Sequence, residues 1–377
     1  MYSVEKTKGI SITRRFDYLS FFVVLVISAI GILVLSSAAY KMTNGSSLMR
    51  TQYISLLIGF ILAVFISTID YKDFKTIGVI FYLFSVLMLV LVLIIGTGDQ
   101  LGSKSWIKLG NFRFQPSELS KITFVVMASI FLERIKEGTE RNKNIIKLIM
   151  YSVLPVGLVL LQPDFGTAMV FVFIFLVMIF ICGFPYRYIV ITSIMCVVSM
   201  PFLWFFGLKD YQKKRIMVFL SPELDPKGAG FNVIRAKTAI GSGKLFGKRL
   251  YEGIQTQNGG VPVKESDFIF TVVGEELGFV GAVIIIVLMF FLLLRFLYIA
   301  KHSRDGYGAF LVTGMVGMIA FHFIQNVGMC IGILPVTGIP LPFISSGGTA
   351  MIANYIAVGL VLSVSMRRKK TIFNVDE

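Results

Sequence analysis

The residues best suited to chemistry in this chain lie in one polar interval, Lys209 to Asp267. It carries eleven Lys and Arg against six acids, with long apolar runs on either side. Within it, Gly241-Ser242-Gly243-Lys244-Leu245-Phe246-Gly247-Lys248 is rich in glycines that would let backbone N–H groups approach an anion. Arg215, Lys244 and Lys248 are the candidates to hold a phosphate there, and the spacing is not that of a nucleotide-binding P-loop. The interval ends in Lys264-Glu265-Ser266-Asp267-Phe268, a carboxylate at the mouth of the next apolar segment. Such an acid is either a helix cap, a role open equally to Ser266, or a base held against an apolar helix top.

Further candidates flank this interval. Glu118 and Lys121 lie at i, i+3 behind Pro116, and read either as helix-start chemistry with an ion pair or as a charged pair lining a cavity. Trp106 and Arg113 belong to the preceding loop, where Trp106 is an interface anchor or a platform for a sugar. Asp164, in the corner Gln162-Pro163-Asp164-Phe165, ends a turn or faces a cavity. Glu275 and Glu276 fall about 12 Å along the helix after Asp267, at 1.5 Å per residue, and at that depth must face the bundle interior or a wet cavity. His322 and Asn326, one turn apart with no second His nearby, read as buried hydrogen-bonding groups. Ser345-Ser346-Gly347-Gly348 follows three prolines and opens a helix; its small residues favour an anion or close helix packing.

The elements that must position these groups are membrane helices. Of 377 residues, 56% are hydrophobic and 15% charged, against about 25% charged in soluble domains. The expected fold is all-α, a polytopic integral membrane protein forming a single domain over 1–377. Ten spans fit, at about 18–40, 52–69, 76–96, 117–133, 145–161, 166–182, 187–207, 268–297, 307–331 and 343–365. Lys and Arg in the short turns place both termini, 1–17 and 366–377, in the cytoplasm. The large loop 208–267, between helices 7 and 8, is then extracytoplasmic; loops of that length cross regardless of charge. The net charge of +15 fits membrane lipid head groups, with no soluble module to bind nucleic acid. The three cysteines lie in apolar runs and read as core residues.

Four stretches carry a resemblance. The segment Asn326 to Ala350, with Pro335, Pro340, Pro342 and Ser345-Ser346-Gly347-Gly348, is similar to the signature of the RodA/FtsW/SpoVE (SEDS) family. Ser105-Trp106-Ile107-Lys108-Leu109-Gly110 with Phe114-Gln115-Pro116-Ser117-Glu118-Leu119, the corner Leu161 to Thr167, and Asp267-Phe268-Ile269-Phe270 with Gly274-Glu275-Glu276-Leu277-Gly278 agree with it in order. The Gln-Pro-Asp-Phe-Gly-Thr corner and short tail look most like the elongation-type branch. The resemblance implies a glycosyltransferase of the bacterial plasma membrane. Such enzymes polymerise lipid II, an undecaprenyl-pyrophosphate disaccharide-pentapeptide, beside a class B penicillin-binding protein. The family's essential Asp falls on Asp267. Where many members carry His-Thr before it, this chain has Glu265-Ser266, so a role for that His does not transfer. An inverting transfer needs a base for the acceptor hydroxyl and cations for the departing pyrophosphate. No cofactor is fixed by the sequence; a divalent cation, Mg or Mn, could bridge Asp267 and pyrophosphate. A lipid II flippase and a non-catalytic scaffold for the crosslinking partner are the alternatives.

Overall fold

The computed structural model describes residues 16–98, 104–110, 112–184 and 229–368, together with isolated positions between 194 and 223. The seventh expected span and Arg215 lie outside the described residues.

The chain runs back and forth as helices α1 (Tyr18–Ala39), α2 (Gly45–Thr68), α3 (Asp73–Ile95), α4 (Pro116–Lys136), α5 (Arg141–Leu161) and α6 (Phe165–Cys182). After the undescribed stretch come α7 (Ala229–Ser242), the short α8 (Ile254–Gln257) and α9 (Ile269–Val272). A single π turn, Val273–Leu277, joins α9 to α10 (Gly278–Lys301), followed by α11 (Gly306–Ile331) and α12 (Gly348–Met366). Eight of these helical segments, counting Ile269–Lys301 as one, are long and apolar enough to cross a membrane. The chain is therefore a multi-pass, all-α membrane protein.

The helix order follows from what each face must avoid. α4 also has the length to span, at 21 residues, but carries Glu118, Lys121 and Glu133. Charged groups cannot face lipid, so α4 lies at the centre with nearly every side chain buried. α3 and α5 stay peripheral, presenting Ile80, Leu83, Met150 and Val153 outward. α2 and α12 lie close because Gly59 meets Tyr355 and Gly359 meets Ala63, small residues that let backbones approach.

Two expectations change. The loop before α4 is an antiparallel hairpin, β1 (Ile107–Leu109) and β2 (Phe112–Phe114), in register Ile107↔Phe114 and Lys108↔Arg113. The tenth helix begins at Gly348, not near 343. Pro335, Pro340 and Pro342 cannot continue a helix, and the chain from Gly332 to Gly347 re-enters the bundle as an elbow. Its depth is marked by Gly31 in mid-α1, where an added Cβ would lie 2.6 Å from the Phe343 carbonyl oxygen. Irregular backbone at that depth needs internal partners, since lipid offers none. Gln52 of α2 donates to the Ser345 carbonyl at 3.1 Å, Gln325 to that of Pro335 at 2.8 Å and Asn326 to that of Ile339 at 2.8 Å.

Candidate active site

Asp267 is seated against this elbow. The segment Glu265–Asp267 is clamped by three bonds: Ser346 N to the Glu265 carbonyl at 2.9 Å, Ser345 Oγ to the Ser266 carbonyl at 2.7 Å, and Asn326 Nδ2 to the Asp267 carbonyl at 2.8 Å. Asn326 thus bridges Asp267 and Ile339 through one amide. The half-buried Asp267 carboxylate accepts from Ser266 Oγ at 2.7 Å, and its Oδ2 lies 3.2 Å from where a Cβ on Gly338 would stand. Gly338 has φ +74°, a left-handed conformation that favours glycine and brings backbone against the carboxylate. A part for Ser345 as an anion ligand competes with the structural use of its hydroxyl, which also accepts from Leu341 N at 2.8 Å. Ser346 lies beside it, its N–H engaged by Glu265.

The hairpin is stitched to the same place. Thr349 Oγ1, in the first turn of α12, donates to the Arg113 carbonyl at 3.1 Å and accepts from Gln115 N at 3.3 Å. Phe112 packs over Gly348. Lys108 and Arg113, both exposed, stand directly opposite on one face of the hairpin. Like charges in that position repel, and an anion over the hairpin would relieve the repulsion. Lys108 was not singled out from sequence, although Gly110-Asn111 between two short runs is a two-residue hairpin signature. The Trp106 carbonyl is held by Thr97 N at 2.8 Å, with the side chain half-buried.

Glu118 and Lys121 form a buried ion pair at 2.9 Å on α4. Lys121 Nζ also lies 2.8 Å from His322 Nε2 on α11, while His322 Nδ1 lies 2.7 Å from the Met318 carbonyl. That carbonyl can only accept, so the proton belongs on Nδ1 and Nε2 accepts from Lys121. Asp164 caps α6, accepting from Thr167 N at 3.0 Å and Thr167 Oγ1 at 2.9 Å. Burial pushes the Asp164 carboxyl above its usual range, opposed by the two Thr167 bonds and the Lys121 charge, while the nearby Glu118 charge adds to the rise. The next residue but one, Gly166, packs against the Thr337 carbonyl oxygen of the elbow. The α4–α11 charges, the α6 N-terminus and Asp267 are therefore neighbours around one elbow.

The glycine-rich run lies elsewhere and is differently occupied. Its N–H groups already have acceptors: Gly247 N donates to the Gly243 carbonyl at 2.8 Å and Lys248 N to the Glu275 carbonyl at 3.0 Å. Lys248 Nζ pairs with Glu275 at 3.1 Å, whereas Lys244 is exposed. Glu275, fully buried, also accepts from Gln255 N at 2.9 Å and Thr256 N at 2.8 Å. Glu276 accepts from Ser37 Oγ, from Tyr251 N at 3.1 Å and from Gln257 Nε2 at 2.9 Å. Adjacent residues on a regular α-helix point about 100° apart; the wider π turn lets both carboxylates meet one loop. These acids peg residues 242–257 to the bundle. They do so beside Ser37, near the end of α1, while the elbow passes α1 at Gly31. Asp267 thus sits against the elbow, while Glu275 and Glu276 hold the loop.

Among the described residues no group of three or more His, Cys, Asp and Glu converges to hold a metal. One carboxylate with phosphate oxygens is still a donor set that suits Mg, and Asp267 would supply it.

Comparison with known proteins places this architecture. The chain is 34% identical to the peptidoglycan glycosyltransferase MrdB of Escherichia coli K12 over 92% of its length and 93% of the relative's. It superposes with a TM-score of 0.80, at 31% identity, on a chain from a peptidoglycan synthase complex described as coordinating polymerization and crosslinking, covering 93% of this chain and 97% of that one. The rod shape determining protein RodA of Thermus thermophilus gives 0.68 at 28% identity, covering 94% and 98%. Residues 17–370 match the family model of FtsW, RodA and SpoVE, described as cell cycle protein, and the chain belongs to that family.

Proposed function

We propose that the chain is a peptidoglycan glycosyltransferase of the bacterial plasma membrane, polymerising lipid II into glycan strands for cell-wall elongation. The observation that carries the reading is Asp267, a half-buried carboxylate fixed through its own backbone to Asn326 and through Ser266 and Glu265 to the elbow. A general base must be held within reach of the proton it removes, and this clamp holds the carboxylate's backbone at three consecutive residues. Asp267 takes the proton of the acceptor 4-hydroxyl as that oxygen attacks the donor sugar C1 with inversion. Pyrophosphate leaves toward cations, for which Lys121 and Arg113 are the candidates around the elbow, with Glu118, Asp164, Trp106 and Ser346 lining the approach; Lys244 is exposed but lies on the glycine-rich run away from it. Lys248 is the weaker candidate, being committed to Glu275. Were Mg or Mn bound, Asp267 would be the residue to hold it, and the ion would supply charge neutralisation for the departing pyrophosphate.

Both termini lie in the cytoplasm and the elbow opens outward, by the charge bias of the short turns. A class B penicillin-binding protein is the partner; similarity to a chain of a polymerizing and crosslinking complex supports it. A lipid II flippase would be suited by free acids inside the membrane, and the saturation of Glu275 and Glu276 by loop donors tells against it. The test incubates purified protein, with and without the partner, with labelled lipid II and resolves glycan on a gel. Polymer from wild type and none from Asp267→Asn is the expected result. Equal polymer from both would remove Asp267 as base, and none from either with partner bound would overturn the transferase.

A further inference from the structure

A cavity of about 340 Å³ lies on the lipid side of α5, α6 and α11. Its nine lining residues are all apolar, among them Leu160, Phe165, Met169, Phe173, Leu176 and Phe321. On α6 they recur at three- and four-residue spacing from Phe165 to Leu176, one stripe about 16 Å long. Its floor is the Phe173–Phe321 ring pair, with centroids 5.1 Å apart.

Two links join this groove to the candidate active site. At one end, Phe165 is the first residue of α6, next to the Asp164 cap; Gly166 packs on Thr337, one residue from the Gly338 that abuts the Asp267 carboxylate. At the floor, Phe321 precedes His322, whose ring takes a bond from Lys121. A hydrocarbon lying in the stripe would leave its polar end at the elbow, next to the buried cation. A substrate whose head reacts inside a helix bundle while its tail stays in lipid needs such an apolar exit between helices.

We infer that the α5–α6–α11 groove holds the first isoprene units of the polyprenyl tail of the lipid-linked substrate, and so sets which tails are accepted. This rests on the proposed lipid II transferase. The tail leaves one apolar medium for another, so the groove gains no hydrophobic transfer energy; discrimination comes from packing branched methyls against the Phe rings and Met169. The effect on turnover is correspondingly modest.

The experiment photolabels the full chain in nanodiscs with a polyprenyl pyrophosphate carrying a diazirine in its first isoprene units. Labelled peptides are mapped, with undecaprenyl pyrophosphate or phosphatidylglycerol as competitor. The expected label falls within 156–176 or on Phe321, and is removed by undecaprenyl pyrophosphate and not by phosphatidylglycerol. Val172→Trp and Met169→Trp, substitutions at half-exposed, lipid-side positions, should block labelling without unfolding. With full-length lipid II they should raise KM about five-fold at unchanged kcat, in keeping with a packing contact alone. With a substrate whose tail is a single prenyl unit, too short to fill the stripe, they should have less effect. Labelling competed equally by phosphatidylglycerol would make the groove an ordinary lipid contact and overturn the inference, as would label elsewhere. Because labelling reads binding, glycan synthesis with an unlabelled groove sinks this inference alone, while the expected labelling without glycan sinks the transferase and leaves the groove standing.

Discussion

The two ends of the helix bundle use polar groups in opposite ways. At the end carrying the α2–α3, α4–α5 and α10–α11 turns, four acids face cations from other elements. Asp17 pairs with Arg295 at 3.1 Å, Lys72 with Asp305 at 3.3 Å, Arg367 with Asp70 at 3.2 Å and Lys75 with Glu133. At the elbow end, the ties holding irregular backbone are neutral: Gln52, Gln325, Asn326 and Ser345. Ion pairs across helix ends fix the scaffold without touching the chemistry. Amides and hydroxyls position the elbow while adding no charge of their own beside Asp267. Glu275 and Glu276 make a third pattern, charged yet saturated by donors and thus anchors.

The comparison breaks most sharply at the acids. Asp267→Asn should lower polymerisation by about 10²–10⁴-fold, the range for a removed general base, with an unchanged melting temperature in detergent. Glu275→Ala should do the reverse in kind. It strips the partner from Lys248 and the acceptor from two N–H groups, costing about 3–5 kcal/mol as an uncompensated buried group. A melting temperature that holds while activity falls would make Glu275 a site residue and erase the distinction.

The neutral ties give smaller effects. Asn326→Leu keeps the volume of the side chain but leaves the Asp267 and Ile339 carbonyls without their shared donor, at about 1–3 kcal/mol. Activity should fall further than stability, because the lost bond is on Asp267 itself. Gly338→Ala forces a Cβ into a φ +74° position facing the carboxylate, costing about 1–2 kcal/mol and lowering kcat more than it raises KM. A Gly338→Ala enzyme of normal kcat would mean the elbow does not position Asp267.

How much of this was legible beforehand differs by residue type. Apolar runs announced the helices, because length and hydropathy are local properties. Asp267 stood out through its place before α9 and through the resemblance. The elbow did not: Pro335, Pro340 and Pro342 showed that helix stops, but only tertiary contacts such as Gln52 to Ser345 show that the chain turns inward. Glu275 and Glu276 looked alike, with the bundle interior and a wet cavity both open to them, since their donors come from Ser37 and from residues 248–257, far along the chain or on irregular backbone. The Lys248 partner was hidden for the same reason, since a cation in a loop has no visible partner until the π turn is placed beneath it.

The smallest effect belongs to the scaffold end and tests whether it is only scaffold. Burial works against the ionised Asp305 carboxylate, but Gly308 N–H, the Tyr71 hydroxyl and the Lys72 ammonium outweigh it and hold the carboxyl below the usual Asp range. An acid whose folded pKa is depressed stabilises the fold above its unfolded value, near 3.9, and loses that contribution as pH falls through the folded value. The melting temperature of the wild type should therefore drop on acidification below about pH 4, and Asp305→Asn should flatten part of that limb. With Lys72 about half exposed, the ion pair contributes under about 1 kcal/mol. At neutral pH the variant should polymerise at the wild-type rate, since Asp305 joins helix ends on the side of the bundle away from the elbow. A loss of activity without a loss of stability would couple the two ends and refute the division of labour drawn between them.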